Sequence, residues 1–115
     1  MTHRESQIET LGPAEVARLL KACKLLLIDV REPSEYAAER IHGALLYPLS
    51  TFDATTLPSD GPRQIVFHCG TGKRSQAAAE KLLSAGQPTA SHMAGGLAAW
   101  KAAGLPVIAT APSIS

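Results

Sequence analysis

An α/β domain, with a mostly parallel five-stranded sheet between two layers of helices, is the architecture this chain's patterning demands. Three features require it. Continuous apolar runs at residues 25–30 and 64–68 read as strands buried on both faces, the habit of parallel sheets. Segments with apolar residues at helical spacing separate such runs. Strand and helix therefore alternate about five times, an order that gives parallel strands joined by right-handed crossovers. Finally, Gly or Pro punctuates most junctions. At 115 residues the chain suffices for one such domain and is too short for two ordinary ones.

In chain order, residues 7–11 form a short first strand. Gly12 and Pro13 then open a helix, as N-cap and first helical residue. Val16, Leu19, Leu20 and Cys23 fall at i, i+3, i+4 and i+7, one helix face, so Cys23 is expected to be buried by packing. Residues 25–30 are the next strand, and Pro33 starts a helix with its body over 34–39. Residues 44–49 read as a short strand broken at Pro48, and 51–57 as a short helix. The Pro58-Ser59-Asp60-Gly61-Pro62 stretch is a turn. Strand 64–68 is followed by an Ala-rich helix over 75–85, stopped by Gly86 and Pro88. Strand 90–93, the Gly95-Gly96 break and a helix over 97–103 complete the domain, which is expected to span 1–109. A disordered tail over 110–115 follows.

Hydrophobic residues at 45% and charged residues at 18% mark a globular chain. Eleven Lys and Arg against ten Asp and Glu leave a formal +1, which argues against a nucleic-acid partner. No run approaches the ~20 apolar residues of a membrane helix, and the polar start has no signal-peptide core. Two cysteines are too few for a disulfide scaffold, and the His and Cys spacings fit no metal motif. The expected setting is the reducing cytoplasm, with both cysteines as free thiols and neither metal nor cofactor.

Ligands of parallel α/β sheets sit beyond the carboxyl ends of strands, so the loop after residues 64–68 is the place to look. It runs Cys69-Gly70-Thr71-Gly72-Lys73-Arg74-Ser75 into a helix. Gly70 and Gly72 supply two glycines of a dinucleotide fingerprint, but Ser75 stands where the third belongs. Gly72-Lys73 begins a Walker ending, but Arg74 follows in place of Ser or Thr. A third reading starts from Cys69. Successive N–H groups arching to a helix start make an anion-binding nest, and Lys73 and Arg74 add positive charge. A thiol there is stabilised as thiolate; a pKa drop from ~8.5 to ~6.5 would raise the thiolate fraction at pH 7 from roughly 3% to roughly 75%. His68 is no base for Cys69, because adjacent strand residues point to opposite faces.

Four segments in order resemble the single-domain rhodanese family of sulfurtransferases. They are Asp29-Val30-Arg31 with Glu35-Tyr36; Ile41-His42-Gly43-Ala44 with Pro48; Cys69-x-x-Gly72-x-Arg74-Ser75; and Met93-Ala94-Gly95-Gly96 through Trp100 to Gly104-Leu105-Pro106-Val107. One departure stands in the second, where Glu39-Arg40 replaces the family's Gly-His. The resemblance implies a rhodanese-like three-layer fold and transfer of a sulfane sulfur through a Cys69 persulfide. The donor would be a small anion such as thiosulfate, the acceptor a thiol, cyanide or protein. Gly70, Thr71, Gly72, Lys73, Arg74 and Ser75 would bind the donor, with Arg31 as an added cation, and Asp29 would be structural support.

Two rivals remain. A cysteine phosphatase or arsenate reductase places one residue more between its Cys and Arg; here four residues, 70–73, lie between Cys69 and Arg74. The tighter loop suits a sulfur atom better than a phosphoryl group. A non-catalytic binding module, or a persulfide carrier serving a partner, is the other. Retention of Cys69 argues against the module, while a carrier shares the chemistry. Some rhodanese domains with a similar loop continue into a membrane anchor.

Overall fold

The computed structural model describes residues 7–58 and 61–110. Five strands form one sheet: β1 (Ile8–Leu11), β2 (Leu25–Asp29), β4 (Leu45–Leu46), β5 (Gln64–His68) and β6 (Ala90–Met93). Their spatial order is β1-β6-β5-β2-β4, with every pairing parallel. The helices are α1 (Pro13–Lys21), α2 (Pro33–Ala38), α3 (Lys73–Ser84) and α4 (Gly96–Ala102).

Alternation along each strand divides the core in two. On one face Leu11, Leu25, Leu27, Val66 and Met93 pack against Val16 of α1 and Leu97 and Trp100 of α4. On the other, Ile28, Val30, Phe67, Cys69 and Ala90 pack against Ala78, Ala79, Leu82 and Leu83 of α3. The small alanines of α3 let that helix lie close to the sheet. Phe52 stacks edge-on against Phe67 from the same side, ring centroids 5.4 Å apart.

Several expectations change in detail. The strand expected over 44–49 shrinks to Leu45–Leu46, which pair with Ile28 and Asp29 at the carboxyl end of β2. The chain then turns through a 3-10 turn at Leu49–Thr51, and a second at Ala54–Thr56 replaces the helix expected over 51–57. A two-stranded antiparallel ribbon, β3 (Glu39–Arg40) with β7 (Ile108–Ala109), was not expected from the sequence. It holds Thr110, whose N–H and hydroxyl donate to the carbonyls of Ala38 and Ala37 at 2.9 and 2.5 Å. The expected disordered tail therefore does not include Thr110, and residues 111–115 lie outside the described ones.

Cys23 is the clearest correction: it is exposed, not buried on the α1 face. The helix ends at Lys21, and Cys23 adopts φ +59°. Its N–H donates to the Leu20 carbonyl at 3.1 Å while that of Lys24 donates to Leu19 at 2.9 Å. These two bonds make a Schellman cap, with a cysteine where glycine is usual.

No helix among the described residues is long and apolar enough to cross a membrane. The chain leaves β2 outward to the edge strand β4, and leaves β5 the other way to β6. The carboxyl ends of β2 and β5 thus flank the point where the winding reverses, the ligand site of such sheets.

Candidate active site

Register sets the site. Asp29 pairs with His68 across β2 and β5, so the loops carrying Arg31 and Cys69 leave the sheet at the same level. Cys69 is buried, on the α3 side. Its Sγ accepts the Gly72 N–H at 3.0 Å and the Ser75 N–H at 3.4 Å, with the Ser75 hydroxyl at 3.7 Å. The loop can curl around its own first side chain because Gly72, the N-cap of α3, takes φ +109°. Burial raises the Cys69 pKa, yet the N–H groups of Ser75, Gly72 and Thr71 and the Ser75 hydroxyl outweigh it, and the thiol falls below its ordinary range.

The first two residues of the loop are pinned by α4. The first N–H groups of a helix have no partner within it. Here Leu97 donates to the Cys69 carbonyl at 2.8 Å and Ala98 to that of Gly70 at 3.1 Å. Gly96, at φ +60°, allows this approach: a Cβ there would lie 2.6 Å from the Gly70 carbonyl carbon. This explains why glycine stands at the first position of α4.

The cations are placed less simply than their positions in the sequence suggest. Arg74 forms a two-pronged pair with Glu35 of α2, at 2.7 and 3.0 Å, and its guanidinium lies against Gly70. Arg74 and the Glu32 N–H beside it pull the Glu35 carboxyl down to about 2, and Glu35 keeps Arg74 charged. Arg31 is buried, and Asp29 accepts four bonds from it: three from the guanidinium at 2.8–3.1 Å and one from the backbone N–H at 3.0 Å. A further donation from Arg31 to the Glu39 carbonyl, 2.6 Å, ties this pair to β3. Lys73 is exposed, with no ion pair among the described residues. Thr71 is exposed beside it at the loop tip.

His68 lies on the opposite face from Cys69, buried, with Nδ1 3.2 Å from the Cys69 carbonyl. Burial holds its pKa below the usual histidine range, against the pull of Asp29. Its Nε2 stands 3.4 Å from an Asp29 oxygen without a hydrogen bond. Sequence reasoning passed over His92, whose Nδ1 is 2.9 Å from the Ser75 hydroxyl. No spacing signal could have found it, since only the packing of α3 on β6 brings residues 75 and 92 together. No group of three or more His, Cys, Asp or Glu among the described residues could hold a metal ion.

A family model for the rhodanese-like domain matches residues 12–103. A Synechocystis protein of uncharacterised function is 39% identical over 101 residues, 88% of this chain and 56% of its own length. An Allochromatium vinosum sulfurtransferase is 34% identical, over 80% of this chain and 86% of its own. The chain thus spans little more than half of the first relative and most of the second. Among solved structures, thiosulfate sulfurtransferase from Pseudomonas aeruginosa superimposes with a TM-score of 0.79 at 25% identity, covering 96% of this chain and 23% of that one. A Rhodopseudomonas palustris protein of unknown function, described as a possible tyrosine phosphatase, gives 0.77 at 28%, covering 91% and 88%.

Proposed function

The chain belongs to the family of rhodanese-like domains, and from that premise we propose that it is a sulfurtransferase working through a persulfide on Cys69. The Cys69 thiolate attacks the outer sulfur of a small anionic donor of the thiosulfate kind. A new S–S bond forms on Cys69, and the donor's S–S bond breaks with its electron pair leaving on the departing sulfite. A thiol, cyanide or protein thiolate then attacks the terminal sulfur and regenerates the Cys69 thiolate. The observation that carries this reading is the focus of N–H groups on Cys69 Sγ, from Gly72 at 3.0 Å and Ser75 at 3.4 Å. Such donors hold a thiolate and, after transfer, a persulfide anion.

The residues around the sulfur divide the work. Gly70, Thr71, Gly72 and Ser75 supply the backbone cradle. Lys73, exposed and without an ion pair among the described residues, draws the anionic donor, and Arg74, held by Glu35, fixes the rim. Arg31 acts through Asp29 and the shape of the β2 end, since its Nε and Nη2 are engaged by Asp29 and the Glu39 carbonyl.

The test is mass spectrometry after incubation with thiosulfate, in a Cys23→Ser background because Cys23 is a second, exposed thiol. We expect a gain of one sulfur that cyanide removes and that Cys69→Ala never acquires. No gain with thiosulfate or any other sulfane donor would overturn the reading in favour of a binding module. The similarity to the Rhodopseudomonas protein gives a phosphatase reading some standing. Turnover of an aryl phosphate without sulfur transfer would establish it instead.

A further inference from the structure

Ser75 is a hydroxyl between two titratable groups. Its Oγ lies 3.7 Å from Cys69 Sγ, 2.9 Å from His92 Nδ1 and 3.1 Å from the Gly72 carbonyl. Ser75 and His92 are both buried, so bulk water does not readily replace either partner. We infer that Ser75 relays a proton between Cys69 and His92, making His92 a positioning residue that forms a thiolate–imidazolium pair with the sulfur. This rests on the proposed role of Cys69 as nucleophile.

The proton balance closes within the three side chains. The Cys69 S–H bond breaks as its proton passes to Ser75 Oγ, and the Ser75 hydroxyl proton passes to His92 Nδ1. Thiolate and imidazolium result, and no outside acid or base is needed. In the starting state Cys69 donates to Ser75 and Ser75 to His92. In the final state both bonds reverse, His92 donating to Ser75 and Ser75 to the sulfur. A hydroxyl, one donor with two lone pairs, is the group that can serve in both directions. The Gly72 carbonyl competes for its proton but can only accept, so a charged sulfur is the better partner once it forms.

His92 reaches the sulfur through the Ser75 hydroxyl, and its other contacts among the described residues are uncharged. Its sheet neighbours are Thr10 on β1 and Phe67 on β5, neither charged, and from α3 it meets Ser75. No charged side chain is paired with it among the described residues, and His68 lies on the other face of the sheet. Arg74, paired with Glu35, is the charge that acts on Cys69 from the loop side. Burial alone pulls His92 below the ordinary histidine range, so an imidazolium there needs a partner anion.

Linkage makes the inference testable from both ends: His92 must favour the Cys69 thiolate by the same factor as the thiolate favours the imidazolium. The first measurement is the iodoacetamide alkylation rate of Cys69 between pH 4.5 and 9 in the Cys23→Ser protein. We expect two inflections in this profile. His92→Phe and His92→Gln, neither able to take a proton, should leave one inflection and slow alkylation near pH 6 about three- to tenfold. The second is the His92 titration by NMR, which Cys69→Ser should move downward by the matching ~0.5–1 unit. Ser75→Ala should cut both effects. Profiles that overlay the Cys23→Ser protein's, with His92 unmoved by Cys69→Ser, would overturn the relay. Alkylation needs no sulfur donor, so a coupled pair without persulfide formation would sink the sulfurtransferase reading and leave the relay standing.

Discussion

Cys23 and Cys69 carry the same thiol in opposite circumstances. Cys69 was legible because its chemistry is local: two glycines and a helix start within six residues dictate a nest of N–H groups. Cys23 was misread because its i+7 position counts as a helix face only while the helix lasts, and α1 stops at Lys21. No glycine marks that stop, so the sequence held no signal of it. A non-glycine residue at φ +59° is strained, and the side chain gains little burial in return. Cys23→Gly should therefore raise stability by about 0.5–1 kcal/mol, read as a higher urea midpoint at unchanged slope. A lower midpoint would mean that the Cys23 side chain makes stabilising contacts.

At the scale of elements, the cysteine loop is held from two sides, by its own helix α3 and by the first turn of α4. The Gly95-Gly96 pair was visible in the sequence as a break, but its target was not, since Gly96 lies 26 positions after Gly70. Gly96→Ala tests this contact. It forces a side chain into φ +60° and against the Gly70 carbonyl. We expect a loss of about 2–4 kcal/mol and a loss of persulfide formation in the molecules that remain folded. Gly86→Ala is the control: φ is +106° with nothing within 4 Å of the new Cβ. It should cost only about 1–2 kcal/mol of backbone strain and leave persulfide formation intact. If the two variants behave alike, the close approach of α4 is not what positions the loop.

For the whole molecule, the near-neutral total hides charges that are paired around the candidate site. Arg31 and Arg74 each meet a carboxylate, Asp29 and Glu35, which leaves Lys73 as the loop's cation without an ion pair among the described residues. The Glu35–Arg74 pair also gives a pH dependence. The Glu35 carboxyl lies near 2 against an ordinary 4.5, so the folded state favours its ionised form. The unfolded chain binds the proton more readily, so stability from this pair is full above about 4.5 and is lost as pH falls toward 2. Both partners are more than a third exposed, so solvent screening keeps the contribution modest. Glu35→Gln should flatten the acid limb of the melting-temperature profile over that window and leave its neutral-to-alkaline part parallel. An unchanged acid limb would place the acid sensitivity elsewhere.

By itself the sequence determined the alternation of strand and helix, the two apolar strands at the centre, and the cysteine loop that follows the second. Each is a consequence of local patterning, propensity and loop chemistry. The tertiary structure alone decided where the charges go and which histidine meets the sulfur's surroundings. Arg74 finds Glu35 39 residues away and Ser75 finds His92 17 residues away. It also decided the β3–β7 ribbon, which ties residues 39–40 to 108–109. Such contacts follow from sheet order and register, and no local rule of spacing encodes them.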